Sequence, residues 1–183
     1  MNLLEIAYAA GVIDSDGWIT ISPSLSSYRV FIGLAQVEPQ AVRLMSELFS
    51  GAINLRKKSD PKRFSSKPMY TWRIEGKTAK KALFELLPYL RIKKAQARLA
   101  LGYLQTAEEH FKKFGTQGSI GLDAKELVRR TTYYLAMKEL NHRAAAETKR
   151  EGSDLSNQIS DSPNCKNGKL AETAEMPVRL VKS

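Results

Sequence analysis

The sequence is poor in cysteine, in histidine and in long apolar runs. It has one cysteine, Cys165, in 183 residues. A single thiol excludes an internal disulfide framework and favours a reducing compartment. The two histidines, His110 and His142, form no metal-ligand cluster. No apolar run approaches the roughly 18 residues of a membrane span, so no membrane partner is expected. The N-terminus has no basic segment ahead of an apolar one, so no secretory signal is expected. Acidic residues are also scarce: 19 Asp and Glu stand against 29 Lys and Arg, for a formal charge of +10 and a pI near 9.7. That balance favours a polyanionic partner, nucleic acid before membrane.

The excess charge is uneven. Residues 142–183 hold seven Lys/Arg against six Asp/Glu, leaving 22 against 13 in the first 141 residues. The basic surplus therefore belongs to the patterned part of the chain, as a structured face meeting phosphates requires. Residues 56–81 are densest, with ten basic side chains against Asp60 and Glu75.

The chain is organised around Ala9-Ala10-Gly11-Val12-Ile13-Asp14-Ser15-Asp16-Gly17. Leu3, Leu4, Ile6, Ala7, Ala10 and Gly11 lie at helical spacing. Ala7 and Gly11, one turn apart, leave a flat strip that another backbone can approach. Glycine costs a helix about 1 kcal/mol against alanine, so a contact should compensate. Asp14 and Asp16 then crowd the negative end of the helix, a penalty that a bound divalent cation reverses. Taken alone, the stretch is also compatible with an ordinary amphipathic helix closed by an Asp-Gly turn.

Trp18 to Ser24 alternates as a strand, with Ile19 and Ile21 on one face and Thr20, Ser22 and Ser24 on the other. Tyr28 to Val37 reads as a second strand of less regular period. Pro39 opens a helix that Gln40 to Phe49 continues, with Arg43 off its apolar stripe. Ile53 to Lys58 and Tyr70 to Glu75 read as strands. They place Asn54, Arg56, Lys58, Thr71 and Arg73 opposite Ile53, Leu55, Tyr70, Trp72 and Ile74. Between them, Ser59 to Pro68 reads as a mobile basic loop. Helices follow over Lys77–Leu87, Leu90–Glu109 and Asp123–Asn141. Ile92, Leu99, Leu101 and Leu104 are expected to pack in the second of these, and Leu127, Leu135 and Leu140 in the third. Glu151 to Lys169 is polar and reads as disordered. No internal repeat is present. The division expected is a domain over residues 1–141 and a largely disordered extension over 142–183.

The nine-residue string resembles the signature of the LAGLIDADG homing endonucleases, with Ala at its first position, Val for Leu and Ser between the acids. Ala35-Gln36-Val37, Leu87-Pro88-Tyr89-Leu90-Arg91-Ile92-Lys93 and Leu140-Asn141 extend the resemblance over about residues 3–141, to the single-motif enzymes of chloroplast and related introns. It implies an α+β fold with an αββαββα core, a four-stranded antiparallel DNA-binding sheet and added C-terminal helices. It also implies a homodimer that cuts both strands of a long pseudo-palindromic DNA site, with Ala7, Ala10 and Gly11 at the dimer interface. Asp16 corresponds to the metal-binding acid and the Ser15 carbonyl to a further ligand, for Mg²⁺ or Mn²⁺. Asp14 takes a supporting role. Lys93 and Arg43 correspond to catalytic basic residues. Pro39 stands where a catalytic glutamine is common, and Gln40 supplies one after a one-residue shift.

The implied DNA-contacting set is Thr20, Ser22, Ser24, Tyr28, Gln36, Arg56, Lys58, Thr71 and Arg73. In this register the outward face of the second strand is unusually apolar: either it meets thymine methyls, or the register is off by one. The implied setting is an organelle, chloroplast or mitochondrion, or a bacterial or phage-infected cytoplasm. Two other functions fit the same surface: a maturase binding its host intron RNA, and a non-catalytic DNA-binding regulator. Retention of Asp14, Asp16 and Lys93 favours cleavage.

Overall fold

A computed structural model describes residues 2–24, 27–56, 68–114 and 122–160. Helix α1, Leu3–Asp16, starts where the Asn2 side chain accepts a hydrogen bond from the Leu4 amide at 3.1 Å. This satisfies one of the four amides that a helix start leaves without partners. Strand β1, Gly17–Ser24, follows without a linker. Strand β2 is Ser27–Gln36, helix α2 Pro39–Phe49, strand β3 Ala52–Arg56 and strand β4 Met69–Glu75. Helices α3, Gly76–Leu86, α4, Lys94–Phe114, and α5, Ala124–Ser160, complete the order. Pro39 sits in the first turn of α2, where its missing N–H costs nothing.

The four strands form one antiparallel sheet in the order β1-β2-β4-β3. One face is covered by helices. Ile19, Ile21, Val30, Ile32, Leu34, Trp72 and Ile74 point into a core shared with Ile13, Val42, Met45, Leu83 and Leu86. The turn from α2 into β3 is closed by glycine. Gly51 has φ +101°, and a Cβ there would lie 2.7 Å from the Trp72 indole nitrogen. That indole donates to the Ser50 carbonyl at 2.6 Å, so the turn and the largest core side chain hold each other.

The expected α+β order is the one observed, with three differences. The helix expected over Leu90–Glu109 runs instead over Lys94–Phe114. Leu90 is fully buried, but Ile92 is 66% exposed rather than packed, because the residues before α4 form a turn. In α5, Leu127 and Leu135 are exposed, and Tyr133, Tyr134 and Met137 face the core instead. Aromatic bodies with hydroxyl tips suit that half-wet seam: Tyr134 stacks on Tyr28, and Tyr133 meets Tyr103 edge-on. Finally, α5 does not stop at Asn141 but runs to Ser160, so residues 151–160 are helical rather than disordered. Ala144, Ala145, Ala146, Glu147, Lys149 and Arg150 are good helix formers that outweigh the loss of an apolar stripe. The expected loop over 59–67 and the tail beyond 160 lie outside the described residues.

The chain divides into two compact units, residues 1–144 and 145–183. Among the described residues, no helix is long and apolar enough to cross a membrane.

Candidate active site and nucleic-acid interface

The two acids at the end of α1 have different surroundings. Asp14 is 8% exposed. Its carboxylate accepts three backbone hydrogen bonds from the turn ahead of α4: Arg91 at 2.6 Å, Ile92 at 3.2 Å and Lys93 at 2.8 Å. Asp14 therefore caps that turn and ties α1 to it. Asp16 is exposed, and its carboxylate accepts one hydrogen bond, from the Gln36 amide at 2.9 Å. That leaves most of its lone pairs for another ligand.

Lys93 joins the two. Its ammonium donates to the Asp14 backbone carbonyl. Burial pulls the Lys93 ammonium below the ordinary lysine range, and the carboxylates of Asp14 and Asp16 oppose that pull. Asp14, Asp16, Lys93 and Gln36 thus form one cluster at the junction of α1, β2 and the turn before α4. Ser15 is exposed beside them, its hydroxyl donating to the Val12 carbonyl at 3.1 Å. Gln40 and Arg43 are exposed on α2, outside the hydrogen-bond network around the two aspartates.

Among the described residues, no group of three or more His, Cys, Asp or Glu could hold a metal ion. A divalent cation bound at Asp16 must therefore draw further ligands from backbone oxygens, a bound phosphate or a second chain. The Ser15 carbonyl and the open carboxylate of Asp16 are suitable hard oxygen donors for Mg²⁺ or Mn²⁺.

The face of the sheet away from the helices is concave and basic. It holds a cavity of about 570 Å³ lined by Thr20, Ser22, Arg56, Thr71 and Arg73 together with Trp18, Phe31 and Asn54. The Thr71 hydroxyl is buried there and has no hydrogen-bond partner among the described residues. A buried hydroxyl in that state has capacity for a further hydrogen bond.

Two members of the expected set face elsewhere. Tyr28 is opposite Pro23 and on the same side of β2 as Val30, Ile32 and Leu34, so it points toward the helices. Its hydroxyl meets Thr131 at 3.1 Å, and its ring stacks on Tyr134. Gln36 shares that parity, but at the strand's end it reaches Asp16 rather than the concave face. The outward side of β2 is instead Arg29, Phe31, Gly33 and Ala35, one residue out of step with the expected register. Lys58 lies outside the described residues. The expected set also leaves out Trp18 and Asn54, although each shares its strand's parity with a residue in the set, Thr20 and Arg56 respectively.

At the proposed interface, Ala10 is fully buried inside its own chain and cannot meet a second one. Gly11 is exposed, and a Cβ there would meet nothing within 4 Å. With Leu4, 77% exposed, and Tyr8, 59% exposed, Gly11 forms an open stripe at helical spacing. Ala7 is half-buried at its margin.

No protein-family model and no curated protein matches the chain. Solved structures do. The homing endonuclease I-CvuI, in complex with its target, aligns over 75% of this chain and 82% of its own, at 23% identity and a TM-score of 0.56. The archaeal intron-encoded homing endonuclease I-Vdi141I, complexed with DNA, aligns over 80% and 96%, at 14% identity and a TM-score of 0.57. The chain has the LAGLIDADG homing endonuclease fold. A third LAGLIDADG-fold structure, the group I intron-encoded homing endonuclease I-CeuI complexed with DNA, aligns over 73% of this chain and 66% of its own, at 14% identity and a TM-score of 0.51.

Proposed function

We propose that the protein is a site-specific, divalent-metal-dependent DNA endonuclease acting as a homodimer in intron homing. The observation that carries this reading is the position of Asp16. It is an open carboxylate at the end of α1, next to the exposed stripe of Leu4, Tyr8 and Gly11 on one side and a basic concave sheet on the other. A second copy packed along Leu4, Tyr8 and Gly11 would bring a second Asp16 to the same floor, giving two carboxylates for two strands. The structural neighbours named above were solved bound to DNA, which supports the same reading.

Within this reading each residue has a task. The sheet enters the major groove, with Arg29, Arg56 and Arg73 meeting phosphates or guanine edges. Thr20, Ser22 and Thr71 supply hydroxyls that donate to, or accept from, base edges. Asp16 and the Ser15 carbonyl would hold a divalent ion, whose chemistry when bound would be activation of water and stabilisation of the leaving 3′ oxygen. Gln36 fixes the Asp16 carboxylate through its amide. The Lys93 ammonium lies beside both aspartates, placed to meet negative charge developing on the phosphate. Arg43 and Gln40 are the basic and amide groups of α2 available to a bent duplex.

The test is cleavage of duplex DNA carrying the intronless allele, with Mg²⁺, with Ca²⁺ and with chelator. The expected result is a specific double-strand break with Mg²⁺ alone, lost in Asp16→Asn with DNA binding retained. Specific binding with no cut under any condition would replace this reading with the non-catalytic or intron-RNA one.

A further inference from the structure

The concave face carries aromatic rings as well as polar and cationic side chains where it adjoins the acids. On that face the strands step outward from Asp16 in successive pairs: Trp18 beside Gly33, Thr20 beside Phe31, Ser22 beside Arg29. The Trp18 indole lies across the neighbouring strand. A Cβ at Gly33 would fall 2.1 Å from its ring, so the glycine is the seat on which the ring rests. One pair further out, the Phe31 ring carries the Arg73 guanidinium, 4.8 Å from its centroid. Ala35, next to Gly33 on the same face, adds a methyl. Thus the inner part of a polar binding surface presents two half-exposed rings beside the hydrogen-bonding groups of Arg73 and Thr71.

This arrangement constrains what the inner surface can recognise. A major groove displays hydrogen-bond donors and acceptors at every base pair, and one apolar feature, the 5-methyl group of thymine. The Phe31 ring offers nothing to the polar features. Burying polar base edges against it without partners is costly, whereas burying a methyl is favourable. We infer that Phe31 and Trp18 are specificity-determining residues that select 5-methylpyrimidines in the part of each half-site nearest the cut. The inference rests on the endonuclease reading above. The Phe31 ring also steadies Arg73 by a cation–π contact, while Glu75, the cross-strand partner of Phe31, pairs with Arg29 at 3.1 Å.

The test starts with selection of a randomised duplex library by the full chain in Ca²⁺. Each thymine of the selected duplex is then replaced by deoxyuridine, which removes one methyl and changes no hydrogen bond. Wild type should lose roughly four-fold in affinity at one or more inner thymines of each half-site, the worth of one buried methyl. Phe31→Thr keeps a strand-forming residue, and Trp18→Thr does the same; one or both should bind thymine and deoxyuridine duplexes alike at those positions. Circular dichroism of both variants checks that they are folded. If wild type selects a defined duplex but ignores every methyl, the inference is overturned and the endonuclease reading stands. If it selects no duplex at all, that reading fails and takes the inference with it.

Discussion

Asp14→Asn and Asp16→Asn should have opposite consequences, although the residues are two apart and chemically identical. Asp14 is 8% exposed and accepts three backbone N–H groups on its two oxygens. An asparagine keeps one acceptor oxygen. Turned toward Arg91 and Ile92, it preserves two bonds but loses the charge that strengthens them, about 1 kcal/mol each. The Lys93 amide then faces an NH₂ group and stays unpaired, at about 1–3 kcal/mol. The sum is about 3–5 kcal/mol. For a urea dependence of about 2 kcal/mol/M, this moves the midpoint down by roughly 1.5–2.5 M. Asp16 is exposed with one side-chain partner, so Asp16→Asn should stay within about 0.5 kcal/mol of wild type while ending cleavage. Urea titrations followed by circular dichroism give both numbers. A midpoint for Asp14→Asn within about 0.3 M of wild type would refute the assignment of Asp14 as the cap that joins α1 to the turn before α4.

Gly11→Leu should leave the fold intact, since nothing lies within 4 Å of the added Cβ and leucine is the better helix former. Sedimentation should show the variant as a single 20.5 kDa chain, with cleavage lost together with the dimer. Lys93→Met provides a pH test. The folded-state pKa of Lys93 is lowered from 10.5, so below it both folded and unfolded chains are protonated and the burial penalty is present in full. As pH rises from that lowered value toward 10.5, the folded chain releases its proton first and wild type gains stability relative to Lys93→Met. The urea midpoint of wild type minus that of Lys93→Met should be more positive at pH 10 than at pH 8. Gly33→Val should displace the Trp18 ring, because the added Cβ would fall 2.1 Å from it. Tryptophan emission should move to longer wavelength and DNA affinity should fall.

The elements were legible where one period dominated. The alternation of Ile19 and Ile21 against Thr20 and Ser22 placed β1, and Tyr70, Trp72 and Ile74 placed β4 with its polar side outward. β2 was ambiguous because Phe31 and Ala35 are apolar on the outward face while Tyr28 and Gln36 are polar on the inward one. Polarity therefore argued for the wrong register. Ala10 was misplaced for a related reason: small residues suit close approach between helices within a chain as well as between chains, and spacing does not tell them apart. The acid pair was legible as chemistry, and the resemblance cast Asp14 as the supporting acid, but what it supports was not legible. Asp14 gains its partners from residues 77–79 positions away, a contact that only the fold supplies.

The passage from α1 to β1 has no spacer: the helix ends at Asp16 and the strand begins at Gly17, whose N–H still bonds back to the Ile13 carbonyl. On the proposed function, cutting and reading share one continuous stretch of backbone, and Trp18 cannot shift without moving the carboxylate two residues before it. Each further same-face position along the strand is about 7 Å more remote. Attempts to redirect the protein to new sequences should therefore meet a graded resistance. Changes at Ser22 or Arg29 should alter preference at little cost in turnover, and changes at Trp18 should trade one for the other. The outer half of the recognition face is the adaptable part, and the inner half is bound to the chemistry.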